Sequence, residues 1–465
     1  MNHSLVDWLS LVAQNTWLYG GAFLLVLGVL VFVHEWGHYI VARMCGVKIE
    51  SFSVGFGKEL FGYTDKRGTR WKFSLVPLGG YVKMFGDVDP ASARHEESVK
   101  DEETQEIRHM TDAEKSVAFY SQSVGRRAAI VIAGPAINFL FAIIILAGLF
   151  TFYGQPVTSP VAVGILSNSA ADAAGFQPHD RILSIEGKEV RRFEDIRRAV
   201  MVKLDQPLDV KILRGNNEEI IKVTPKKIEE RDHFGFKHSK GMLGIIGPGS
   251  AVDISQILAV DGVDTTDNPD KARALIKARL GQPLDIKLKG AAEEDVLSVR
   301  PMPSYNTGLN DPDSTDYSLL YLMDGEVNTI VKHGIGGSLV EAVRETGDIT
   351  VSTLEALGQI VTGTRSTSEL GGIIRIGAIA GDMAKSGALA LISFAALLSI
   401  NLGLINLFPI PMLDGGHLLF YLIEAIKGSP ISERIQEYAF RFGLAILIGI
   451  MLFANLNDVV QLVFR

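Results

Sequence analysis

The residues best placed to do chemistry are two histidines and a glutamate near the N-terminus, in the run Val33-His34-Glu35-Trp36-Gly37-His38. On a helix, positions i and i+4 share a face, so His34 and His38 point both imidazoles at one ion. Glu35 is turned about 100° around the helix from His34, which sets its carboxylate beside the ion, where it can take a proton from bound water. This is the zinc pattern H-E-x-x-H. A catalytic zinc typically has three protein ligands and one open position for water, so a third polar group is required. Asp414 is the first choice, because it closes an uncharged run from Ser386 to Leu413 and follows Pro409 and Pro411, which break the helix. His417, just beyond, is the rival ligand. Cys45 has a thiol suited to zinc, but the helix direction carries it away from the histidine pair.

The elements that must position these groups are strongly apolar. Trp8 to Val33 carries no charge, and neither do Ala128 to Tyr153 or Ser386 to Leu413; a shorter run, Phe442 to Asn457, ends at Asp458. About 20 helical residues cross a ~30 Å hydrocarbon layer. The second and third runs clear that length. The fourth does so if Tyr438 to Phe440 are included and Arg441 reaches the interface. The first 17 residues contain no Lys or Arg, and no small-residue cleavage site follows. The first run is therefore expected to be a retained span rather than a signal peptide. Counted from Trp17, it ends near Trp36 and places HEWGH at the cytoplasmic boundary. Arg43, Lys48, Arg126, Arg127, Lys427, Arg434 and Arg441 flank the spans. By the positive-inside rule their loops are cytoplasmic, and both termini and residues 154–385 lie outside, in the periplasm of a bacterial cell.

The composition agrees. The chain has 465 residues, 47% hydrophobic and 21% charged, with 45 Lys+Arg against 53 Asp+Glu and a net charge of -8. That balance argues against a nucleic-acid partner. A single cysteine excludes an intrachain disulfide and any cysteine-rich metal site.

Between the first two spans, Ser51 to Met84 alternates and is rich in glycine and aromatics, which predicts β-hairpins with an apolar face near the membrane edge. Asp87 to Lys115 is mostly acidic and is expected to be a solvated loop. The outer region holds a repeat: Ile182-Leu-Ser-Ile-Glu-Gly187 returns as Ile257-Leu-Ala-Val-Asp-Gly262, and Gln206-Pro-Leu-Asp-Val-Lys211 as Gln282-Pro-Leu-Asp-Ile-Lys287. Two copies of one strand-rich unit follow. The block Asn168 to Asp180 with the strand after it resembles the helix-turn-strand of bacterial PDZ domains, which bind extended peptides at a sheet edge. In the second copy Gly249-Ser-Ala-Val-Asp-Ile replaces that block, leaving open whether it binds peptide or packs on the first.

The expected fold is a polytopic α-helical membrane protein with four transmembrane helices, a membrane-associated β segment and two tandem periplasmic PDZ-like α+β domains. Its order is 1–42 with HEWGH, a cytoplasmic loop with the β segment over 43–127, and a second helix over 128–153. The PDZ-like units cover 154–240 and 241–325, followed by a periplasmic linker at 326–385. A third segment, 386–413, leads into the Leu-Asp-Gly motif; a cytoplasmic loop, 414–437, precedes the last helix at 438–460.

Taken with Gly134-Pro-Ala-Ile-Asn138 and the run Asn406 to Gly416, these features resemble the site-2 protease family essentially end to end. The resemblance covers "GFGK", "PLGGYVKM", "SVGRRAAI" and "NLFPIPMLDGGHLLF". It implies a zinc endopeptidase that cuts transmembrane helices of substrates already trimmed outside, of the anti-sigma-factor type, and signal-peptide remnants. It further implies that His34, His38 and Asp414 bind zinc, that Glu35 is the catalytic acid/base, and that Asn406 is a polar active-site residue. Asn138 and the β segment would handle substrate. One stretch departs from the pattern: Gly371-Gly-Ile-Ile-Arg-Ile-Gly377 stands where a Gly-Pro-Ile segment is expected. Two other classes are weighed on the residues. A membrane-anchored PDZ adaptor with a structural metal would not need Glu35. A transporter would repeat its spans, whereas this repeat lies outside them.

Overall fold

The computed structural model describes residues 5–86, 98–100, 107–289 and 296–463. Helix α1 (Leu5–Met44) runs through the first apolar stretch and past both histidines. Helices α2 (Asp112–Val117) and α3 (Val124–Phe152) follow. The insert between α3 and α7 carries α4 (Ala170–Ala173), α5 (Phe193–Met201) and α6 (Pro269–Ala278). Then come α7 (Ile335–Thr362), α8 (Ile373–Lys385), α9 (Ala388–Asn406), α10 (Asp414–Lys427) and α11 (Glu433–Val463). Leu18–Met44 within α1, with α3, α9 and α11, are long and apolar enough to cross a membrane. The chain is polytopic, as its sequence requires.

The spans meet through small residues, which let backbones approach where lipid offers no hydrophobic drive. A Cβ on Gly37 of α1 would stand 2.7 Å from the side chain of Ile137 on α3, and one on Gly403 of α9 would stand 3.0 Å from the Pro135 carbonyl. Helix α7 joins this bundle through Ala342, which packs with Ala142 and Leu146 of α3 and with Ala396 and Ile400 of α9.

The segment after α1 forms strands β1 (Ile49–Thr64) and β2 (Arg70–Met84), each bent at glycines of positive φ: Gly55, Gly57 and Gly79. The bends turn two long strands into four short ones. Their order is 56–64, 70–76, 49–54, 80–84, with Phe61 opposite Phe73, Val54 opposite both Phe73 and Gly80, and Phe52 opposite Val82. Phe56, Leu60, Phe61, Tyr63 and Leu75 remain exposed, so the apolar face expected from sequence is present.

Three expected loops differ from the structure. In the acidic stretch, residues 87–97 and 101–106 lie outside the described residues; what is described includes the paired strands Ser98–Lys100 and Ile107–His109 and then α2. Thr111 and Glu114 close a capping box there, with the Thr111 amide donating to Glu114 Oε2 at 2.8 Å. The stretch 326–385, expected as a linker, is mostly α7 and α8. The charges of α7 lie on one face and meet the insert: Arg192 Nη2 donates to Glu345 Oε2 at 2.7 Å, and Lys203 Nζ to Glu355 Oε1 at 3.3 Å. Finally, 414–437 begins with α10 rather than a loop.

The insert hangs on a two-stranded neck, Gln155–Val157 against Thr329–Val331. The repeat is visible as repeated geometry. Glu186-Gly187 and Asp261-Gly262 both have positive φ at both positions, which is the two-residue hairpin turn that matches strand twist. Glu186 Oε1 accepts from the Asp209 amide at 2.7 Å, and Asp261 Oδ1 accepts from the Asp285 amide at 2.9 Å. The two cores are interleaved, however. The strand Gly164–Leu166 lies between Ile245–Ile246 and Val296–Val299 in one six-stranded sheet. Ala162 and Ile165 pack in the first core with Leu243, whereas Val161 and Val163 pack in the second with Leu297 and Leu320. The expected boundary between 240 and 241 therefore falls inside the strand Lys237–Met242. His179 bridges the units, its Nδ1 2.7 Å from Asp324 Oδ2 and its Nε2 2.7 Å from the Arg300 carbonyl.

Candidate active site

Helix α1 presents His34 and His38 on the face turned toward α3 and α9. Their Nε2 atoms stand 3.3 Å apart. The third group arrives from the far end of the chain. Helix α9 stops at Asn406, and the Pro409/Pro411 segment turns back through Met412, a non-glycine residue held at φ 85. Such backbone is costly and persists where its surroundings fix it. The turn delivers Asp414 as the first residue of α10, where the helix dipole favours a carboxylate. Asp414 Oδ2 lies 3.2 Å from His34 Nε2, and Oδ1 lies 3.6 Å from His38 Nε2. One ligand atom from each of the three residues falls within 4.8 Å of the others.

This donor set fits a metal ion. His38 Nδ1 is 2.9 Å from the Ile130 carbonyl, so its proton sits there and Nε2 is left with a lone pair. Asp414 Oδ2 is buried and accepts no hydrogen bond among the described residues. Two imidazole lone pairs and a bare carboxylate oxygen facing one another need a cation between them. The space for it is kept by Gly134 of α3. A Cβ at that position would stand 2.9 Å from His34 Cε1 and closer still to the ring of His38.

Glu35 lies beside this cluster, against the β segment. The Val82 amide of the edge 80–84 donates to its carboxylate, and Gly80 is needed there because a Cβ would stand 3.0 Å from Glu35 Cγ. Asn406 Nδ2 is 3.4 Å from His34 Nε2. The residues singled out in the sequence are thus brought together, apart from two. His417 packs its ring against Phe440, 5.0 Å between centroids, and Cys45 packs beside the cluster of Ala42, Val47 and Ile49. Sequence reasoning missed the supporting groups. The Ile130 carbonyl carries no side-chain signal. Asn138, with Nδ2 3.1 Å from His34 Nδ1, was singled out through the family resemblance for substrate handling and not as a partner of His34.

The matching of known proteins agrees with the geometry. The model of peptidase family M50 matches residues 22–450. The regulator of sigma E protease of Haemophilus influenzae is 34% identical over 469 residues, covering 95% of this chain and 98% of that protein. The regulator of sigma-E protease RseP of Escherichia coli is 35% identical over 477 residues, covering 94% and 97%. A protein of Agrobacterium fabrum, named as a candidate zinc metalloprotease, is 36% identical over 441 residues and 95% of each chain. With a family match across most of its length and relatives above 30% identity end to end, this chain belongs to peptidase family M50, the site-2 proteases, and is a zinc-dependent metalloprotease.

Proposed function

We propose that His34, His38 and Asp414 hold the zinc and that Glu35 is the general base and acid of an intramembrane endopeptidase. The observation that carries this reading is the convergence of the three ligand atoms beside the Glu35 carboxylate. When bound, zinc lowers the pKa of its water to about 7 and polarises the scissile carbonyl. Glu35 takes the proton of the attacking water and hands it to the leaving amine. Asn406, whose amide stands at the edge of the ligand cluster, donates to the developing oxyanion or to the substrate backbone. A helical substrate must first be unwound, and the short strands of β1 and β2 offer an edge against which it is held extended.

The relatives named for sigma-E regulation support a substrate of the anti-sigma-factor type, a single-pass membrane protein trimmed outside before it is cut within the bilayer; signal-peptide remnants fit the same requirement. The flanking basic residues support a bacterial inner-membrane setting, with termini and insert periplasmic and the site toward the cytoplasm. The two outer units act as PDZ-like modules that exclude substrates with bulky external portions. Cleavage of a model transmembrane substrate by wild type and by Glu35→Gln tests the chemistry. Glu35→Gln should retain its zinc and lose about 10²–10⁴ in rate. Undiminished cleavage would remove Glu35 from the mechanism. Loss of zinc together with activity would instead support a ligand or structural role. Excising residues 159–327, which leaves the neck strands, tests the filter: short-tailed substrates should still be cut, and untrimmed ones should now be cut as well.

A further inference from the structure

Both imidazoles direct Nε2 toward Asp414 and toward each other, so on each ring Nδ1 is the remaining nitrogen. An imidazole that gives its Nε2 lone pair to a metal carries its proton on Nδ1. For His38 that proton goes to the Ile130 carbonyl. For His34 the group in the same place is the side-chain amide of Asn138, whose Nδ2 lies 3.1 Å from Nδ1. An NH₂ facing a ring N–H sets donor against donor. A half-turn of the amide exchanges N and O without changing its shape and presents Oδ1 to the ring as an acceptor. The exchange gives up no hydrogen bond made by Oδ1: Asn138 is 0% exposed, and its Oδ1 bonds no other group among the described residues. The backbone beneath it is fixed as well, since Ser399 Oγ of α9 donates to the Asn138 carbonyl at 2.8 Å.

We propose that Asn138 is a positioning residue: it accepts the Nδ1 proton of His34 and so fixes the tautomer and ring angle of that ligand. The substrate-handling role implied by family resemblance gives way to this one. Helix α3 then orients both histidines, His38 through the Ile130 carbonyl and His34 through Asn138 two turns further on. Outer partners of this kind set ligand basicity, and their loss usually costs about 10–100-fold in metal affinity. The inference rests on the assignment of His34 as a zinc ligand.

The experiment measures zinc affinity by chelator competition on the full chain in detergent, for wild type, Asn138→Leu, Asn138→Ala, Asn138→Asp and His38→Ala. Asn138→Leu keeps the volume but cannot accept, and should weaken zinc about 10–100-fold. Asn138→Ala, which cannot overpack, should weaken it similarly. Asn138→Asp keeps the acceptor and should restore affinity toward wild type. With zinc saturating, the Leu and Ala variants should lower kcat for a model transmembrane substrate and leave KM unchanged. Wild-type zinc affinity in Leu and Ala together with a raised KM would overturn the proposal and return Asn138 to substrate handling. Failure of Asp to rescue would also overturn it. His38→Ala separates the two levels: if that variant kept its zinc, the ligand assignment itself would fall, whatever Asn138 does.

Discussion

His34 Nε2 and Asp414 Oδ2 stand 3.2 Å apart although they come from opposite ends of the chain. The proposed ligand set therefore forms only when α1 and the turn before α10 are both in place. One zinc per chain is expected in metal analysis of the purified protein. His38→Ala should lose it and Asp414→Ala should bind it weakly. His417→Ala should retain it, because that ring packs on Phe440. Loss of zinc in His417→Ala with full retention in Asp414→Ala would reverse the assignment of the third ligand.

Gly134 and Gly148 share α3 but differ in surroundings. A side chain at 134 meets both imidazoles, and one at 148 meets nothing within 4 Å. Gly134→Ala should displace the rings, lower zinc occupancy and cost about 1–3 kcal/mol in overpacking. Gly148→Ala should be neutral or slightly stabilising, since glycine inside a helix is the weaker former. Thermal melting and metal content of the two variants check the contrast.

Glu345 takes hydrogen bonds from both Arg192 and Arg198 of the first unit of the insert, and its side chain is 16% exposed. Glu345→Ala leaves two partly buried guanidiniums without that carboxylate and should loosen α5 from α7 by about 1–3 kcal/mol. Glu341 pairs with Arg191, whose side chain is 47% exposed, so Glu341→Ala should cost under about 1 kcal/mol. Hydrogen exchange of α5 amides would rank the two; equal effects would show that this face is not held by Glu345.

The hydrogen bond to Asp324 raises the pKa of His179, and the same bond holds Asp324 below the usual carboxylate range, helped by Arg181. The histidine's contribution is complete below its ordinary value of about 6.5 and fades as pH rises through its higher folded value. The aspartate's contribution is complete above about 3.9 and fades as pH falls through its lower folded value. The two units of the insert should therefore be held most firmly between about pH 4 and 6.5 and loosen on the alkaline side. Hydrogen exchange at residues 179–182 and 322–325, corrected for the intrinsic rate, would show this. His179→Asn suits the backbone at φ 76 and should flatten the profile.

Much of the His34, His38 and Asp414 cluster was legible because its signals are local. The i, i+4 spacing placed both histidines on one face, and a lone charge after two prolines marked Asp414. The four spans followed from length and composition. What stayed hidden depends on contacts distant in sequence. Residues 326–385 read as a linker because nothing local announces that Glu345 and Glu355 meet Arg198 and Lys203. The family resemblance drew Asn138 forward for substrate handling, but its pairing with His34 required the packing of α3 on α1. The repeat gave two units, yet residues 161–165 divide between two different cores, and no periodicity assigns the second one.

That segment, shared between two cores, constrains biosynthesis. Val161 and Val163 are made early, but the pocket that buries them is completed only by Leu309, Leu320 and Leu322. Until those residues have left the ribosome, one side of the ribbon remains sticky and uncovered. The nascent insert would then need shielding until nearly all of it has emerged, and its two halves should gain protease resistance together rather than in turn.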